Sequence, residues 1–128
     1  MSRSVLDASA LLALLKRELG SDQVALAIES GSEISAVNLA EVVAKLAEAT
    51  MPEPMIHETL DSLGLDVVPF DHRLAYRSGL LRVATKQYGL SLGDRCCLAL
   101  AQDHGLPLLT ADQVWRQLSV GVSIQVIR

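Results

Sequence analysis

The chain has 128 residues, half of them apolar and a fifth charged, with four aromatic side chains, two cysteines and a formal net charge of −4. That length suits one domain with a substantial core, and the apolar share excludes a disordered chain. Its glycine, proline and cysteine counts exclude collagen-like, low-complexity and disulfide-dense classes.

In chain order, Arg3–Leu6 reads as a strand and Ala8–Arg17 as a helix closed near Gly20. A second helix, Asp22–Glu29, ends at Gly31, and Glu33–Ser35 forms a short strand. Helices follow at Ala36–Ala49 and at Pro52–Leu63, the latter started by Pro-Glu-Pro and stopped by Gly64. Leu65–Val68 is the next strand. A long helix then runs from His72 to Tyr88, with Gly79 its soft point, and another covers Ser91–His104. Leu106–Leu109 is a strand, Gln113–Leu118 a short helix and Val122–Ile127 a final strand. Strands alternating with helices from end to end predict a single α/β domain, residues 1–128, around a largely parallel sheet.

The longest apolar runs, Ala10–Leu15 and Cys96–Ala101, fall far short of the roughly 20 residues of a bilayer span. Asp7 interrupts the apolar N-terminal stretch and no small-residue cleavage site follows, so a cytoplasmic protein with no membrane contact is expected. Cys96 and Cys97 are adjacent in a helical run and read as packed small side chains. His57, His72 and His104 are scattered, without the spacing of a structural zinc site. Charge is uneven: residues 1–70 carry 4 basic and 11 acidic side chains, residues 71–128 carry 7 basic and 4 acidic. The second half supplies Arg73, Arg77, Arg82, Lys86, Arg95 and Arg116, either a phosphate-attracting surface or ordinary solvated charge.

Ligands of parallel sheets sit beyond the carboxyl ends of the strands. Asp7 follows Val5-Leu6, Asp112 follows Leu109-Thr110-Ala111, and Asp94 opens the helix before that strand. Each has a second reading as a helix cap; Ser91 and Asp94 have capping-box spacing. Glu41 lies mid-helix on a polar arc with Asn38, Lys45 and Glu48, which a solvated face would also explain.

Together these segments resemble the signature of PIN-domain nucleases, most closely VapC-type toxins of bacterial toxin–antitoxin pairs. The likeness rests on Val5-Leu6-Asp7-Ala8-Ser9, Ser35-Ala36-Val37-Asn38-Leu39-Ala40-Glu41-Val42, Leu90-Ser91-Leu92-Gly93-Asp94-Arg95 and Leu109-Thr110-Ala111-Asp112. Val67-Val68-Pro69-Phe70-Asp71 is similar to the family's middle strand and turn. The resemblance implies a three-layer α/β/α domain that hydrolyses RNA phosphodiesters at Asp7, Glu41, Asp94 and Asp112. Asp7, Asp94 and Asp112 would hold Mg2+ or Mn2+, and Glu41 would orient or deprotonate the attacking water. Hard cations prefer such oxygen donors. Ser9 and Thr110 become candidates for holding the carboxylates in place, though Ser9 equally reads as an ordinary first-turn helix residue. Asn38 would contact RNA, an acidic neighbour or solvent; Arg95 would bind phosphate or damp carboxylate repulsion.

The resemblance also implies a homodimer, here expected to use residues 22–63, and inhibition by a VapB-type antitoxin that offers an Arg to the acidic groove. Val114, Trp115 and Arg116 stand where many relatives carry a further acidic or amide residue, which counts against a second metal. Trp115 reads as core packing ahead of base stacking. A receiver-like phosphoacceptor or haloacid-dehalogenase-like enzyme lacks its acidic pair here. The rival that survives is a catalytically silent PIN-like module that binds RNA or a protein.

Overall fold

Short apolar segments joined by amphipathic helices produce a five-stranded sheet in the computed structural model, which describes residues 3–128. Strands β1 (Ser4–Leu6), β2 (Ser32–Ser35), β3 (Asp66–Val68), β4 (Leu108–Thr110) and β5 (Ile124–Val126) lie in the order β3-β2-β1-β4-β5. Every neighbouring pair is parallel, with Leu6 opposite both Ile34 and Leu109. The helices are α1 (Ala8–Leu15), α2 (Ser21–Ser30), α3 (Ala36–Glu48), α4 (Glu53–Asp61), α5 (His72–Leu80), α6 (Arg82–Thr85) and α7 (Leu92–His104). This is the expected three-layer α/β/α class with a parallel sheet. No helix among the described residues is long and apolar enough to cross a membrane.

Strands this short hold because both faces are covered. Successive side chains of β1 point to opposite faces: Val5 packs with Leu98, Leu100, Leu108 and Trp115, while Leu6 packs with Ala10, Ala13, Val24 and Ile127. Burying one such aliphatic side chain stabilises the fold by about 1.5–3 kcal/mol. A third cluster, Leu11, Ile34, Val42, Leu46, Ile56 and Leu60, ties α1, α3 and α4 to β2. Trp115 is 1% exposed within the first cluster, a core residue. Cys96 and Cys97 are buried and unpaired.

Several boundaries differ from the sequence expectation for local reasons. The first helix ends at Leu15, because Arg17 takes a left-handed φ of 54° and Glu18 N–H bonds back to Ala13 O. The expected His72–Tyr88 helix is divided at Leu81 and finishes as a 3-10 turn. There Thr85 Oγ1 donates to Leu81 O at 2.8 Å, the kind of side-chain bond that bends a helix. The fourth strand starts at Leu108, since Leu106 N–H closes α7 onto Ala101 O and Pro107 has no N–H. Residues Gln113–Gln117 form a 3-10 turn. Gly20 (φ 94°) admits the chain end: a Cβ there would lie 2.5 Å from Ile127 O.

The strand order fixes where a ligand can sit. From β1 the chain moves outward through β2 to β3, then returns past β1 to β4 and β5. The crevice between β1 and β4 is therefore the topological switch point.

Candidate active site

Asp7 leaves β1 and Asp112 leaves β4, so both stand at that crevice. Asp7 is 4% exposed, and both of its carboxylate oxygens accept hydrogen bonds from the protein. Its Oδ1 accepts from Ser9 Oγ at 2.7 Å and from Ala10 N–H at 2.8 Å, capping α1; its Oδ2 accepts from Thr110 Oγ1 at 2.5 Å. Ser9 Oγ in turn accepts from Ala111 N–H, and Thr110 Oγ1 from Asp112 N–H. The two hydroxyls thus lock the exit of β1 to the exit of β4. Burial pushes the Asp7 carboxyl up to about 6; bonds from Thr110, Ala10 and Ser9 pull it down, and the Asp94 charge adds to the rise.

Asp94 arrives from the first turn of α7. Its Oδ2 accepts from Ser91 N–H at 2.9 Å while Ser91 Oγ accepts from Asp94 N–H at 3.2 Å, a complete capping box. Asp112 Oδ1 accepts from Val114 N–H at 3.0 Å. Each aspartate is therefore a cap, as its sequence position allowed. The cap uses one carboxylate oxygen of Asp94 and Asp112, and capping does not prevent the acids from sharing a space.

Glu41 comes from α3. Asn38, one turn earlier and 1% exposed, donates from Nδ2 to Glu41 Oε1 at 2.8 Å and to Gly93 O at 3.0 Å. Of the three surroundings open to Asn38 in the sequence, the structure places it against the acidic neighbour. Its Oδ1 is buried without a partner. Gly93 makes this possible, because a Cβ there would meet Glu41 Oε2 at 2.4 Å. The missing side chain leaves the space that the Glu41 carboxylate fills, directly beside Asp94.

All four carboxylates line one cavity of about 240 Å3, together with Ala8, Ser9, Leu12 and Lys45. Thr110 and Asn38 support it from behind. Arg95 is placed elsewhere: its Nη1 donates to Ser78 O at 3.0 Å, joining α7 to α5. Lys45 was visible in the sequence only as a polar-arc residue. Its signal was helical spacing, since it lies one turn beyond Glu41 on the same face. Among the described residues, no three Asp, Glu, His or Cys side chains are gathered tightly enough to form a ready-made metal cage. A separate, mainly apolar hollow of about 370 Å3 lies between α3 and α4, walled by Leu39, Val43, Met51, Ile56 and Leu60.

Solved structures share the fold: DNA-bound VapBC from Salmonella typhimurium aligns over 100% of both chains with a TM-score of 0.76 at 19% identity. VapBC2 from Rickettsia felis, bound to a promoter DNA fragment, aligns over 98% of both chains with a TM-score of 0.74 at 18% identity. A toxin-antitoxin complex from Klebsiella pneumoniae covers 94% of this chain and 99% of its own, with a TM-score of 0.69 at 23% identity. Compared with curated proteins, the chain matches none. The PIN domain profile matches residues 4–121, taking in β1 to β4 and all four cavity carboxylates; the chain belongs to the PIN domain family.

Proposed function

We propose that this protein is a metal-dependent endoribonuclease, the VapC-type toxin of a toxin–antitoxin pair. The observation that carries the reading is the convergence of Asp7, Glu41, Asp94 and Asp112 on one cavity at the β1/β4 switch point. The donor set is all hard oxygen, which suits Mg2+ or Mn2+ and not a thiolate-bound metal. Magnesium typically keeps several waters and takes one or two carboxylates, so an open acidic cavity without a closed three-ligand cage fits it. The buried Asp7, whose carboxylate the fold disfavours, gains most from a neighbouring cation.

In this reading Asp7 and Asp94 would hold the ion, and Asp112 would reach it directly or through one of its waters. When bound, it would polarise the phosphate and lower the pKa of water at the site. Glu41 accepts the proton of the attacking water, its carboxylate oriented by Asn38. Ser9 and Thr110 fix the Asp7 carboxylate so that it need not reorganise during the reaction. The neighbouring structures include a toxin-antitoxin complex and VapBC assemblies, and the groove between α3 and α4 offers a VapB-type antitoxin an apolar seat. The same region, within residues 22–63, supports homodimerisation through surfaces such as Met55, which is 52% exposed. The open cage equally describes a silent PIN-like module that only binds RNA or protein. Incubation of total RNA with the purified protein decides: Mg2+-dependent cleavage that stops with a chelator and is lost in Glu41→Gln supports the nuclease, and intact RNA supports the silent module.

A further inference from the structure

We infer that Lys45 is the phosphate-binding cation of this site, an inference that rests on the nuclease reading. A cavity walled by four carboxylates repels an RNA backbone unless cations offset the wall. Of the basic residues in the second half, Arg82 and Lys86 do not line the cavity and four arginines are engaged elsewhere. Arg73 and Arg77 meet Asp103 at 2.7 and 3.6 Å, Arg95 donates to Ser78 O, and Arg116 donates to Arg128 O at 3.1 Å. Among the described residues, Lys45 is the one basic residue lining the cavity.

Its neighbours leave it available. Glu41 and Lys45 stand four residues apart on α3, with the acid N-terminal, the order that favours an ion pair along a helix. No such pair within 4 Å forms among the described residues. Asn38 takes Glu41 Oε1, and the gap over Gly93 receives Oε2, so the carboxylate is drawn toward α7 and away from Lys45. The exposed ammonium is then a compact cation at the rim of the acidic cavity. That position suits a non-bridging phosphate oxygen of a strand whose neighbouring phosphate is being cut.

The test uses the full chain, a fluorescent single-stranded oligoribonucleotide and Ca2+ in place of Mg2+ so that binding is read without cleavage. Lys45→Met should weaken RNA binding about tenfold, the worth of one charge-assisted bond. It should also flatten the logarithmic salt dependence by about 0.7, one phosphate on a single strand. Lys45→Arg should restore most of both. Binding of Mn2+ alone should tighten about fivefold in Lys45→Met, since a positive charge leaves the vicinity of the ion. These opposite signs separate phosphate contact from a general loss of folding, which would weaken both ligands. Unchanged RNA affinity, salt slope and Mn2+ affinity would overturn the inference, as would weakened binding that tracks a lowered melting temperature. Wild type that binds RNA through Lys45 yet cleaves none with Mg2+ would instead overturn the nuclease reading and leave the Lys45 assignment standing.

Discussion

Replacing Asp7 by Asn is expected to make the metal-free protein more stable at neutral pH. The asparagine keeps the oxygen that accepts from Ser9 and caps Ala10. Its amide, in place of Oδ2, donates to Thr110 Oγ1, whose own proton can turn to Ser9 Oγ 3.3 Å away. What changes is the charge. Burial holds the Asp7 carboxyl at about 6 against an ordinary 3.8. The native state therefore retains a proton that the unfolded chain has released, and stability falls as pH rises from 3.8 to about 6. The difference between those values corresponds to about 3 kcal/mol lost by wild type above the window. For a domain of this size that is a melting-temperature gain for Asp7→Asn of about 10 °C near pH 7.5. The gain should shrink below pH 6 and vanish near pH 3.5, where both side chains are neutral. Mg2+ should raise the wild-type melting temperature and close the gap, because only wild type gains a native-state ligand. Thermal melts of both proteins across that pH range, with and without Mg2+, are the assay. An Asn variant no more stable than wild type at pH 7.5, or a gap independent of pH, would refute the reasoning.

Gly93→Ala should reduce RNA cleavage at least tenfold, because its Cβ displaces the Glu41 carboxylate. Its melting temperature should hold within a few degrees, since the added Cβ meets only the movable end of the Glu41 side chain. Asp112→Asn keeps the bond to Val114 N–H and should melt like wild type without metal, while losing most of the Mg2+-induced shift. Asn38→Ala removes the buried donors to Glu41 and to Gly93 O and should cost about 1–3 kcal/mol in urea unfolding. Burial pushes the thiols of Cys96 and Cys97 up, the latter strongly, so the native protein should resist iodoacetamide at mildly alkaline pH and react only on unfolding.

The order of elements and the positions of the acids were legible in the amino-acid sequence because their causes are local. Aliphatic runs at Val5-Leu6 and Leu108-Leu109 encode strands, and Ser91 with Asp94 encodes a helix start. The alternation itself dictates a parallel sheet, and an aspartate after a strand of such a sheet stands at its ligand-binding edge. Periodicity could not say where the helix from His72 bends, since that depends on a Thr85 hydroxyl and the packing of Leu81. Nor could it choose among readings of Asn38 and Arg95, or say what Lys45 faces. These residues lie on helix surfaces whose fate is set by whichever element packs against them, and here α7 meets α3 through the side-chain-free Gly93. At that contact Asn38 is buried, the Glu41 carboxylate lies over Gly93, and Lys45 stands at the cavity wall without an ion pair among the described residues. The sequence alone determined which residues were available for chemistry. Tertiary packing decided which of them face one another, because a helix fixes only its own periodicity, while its partner determines which side is dry.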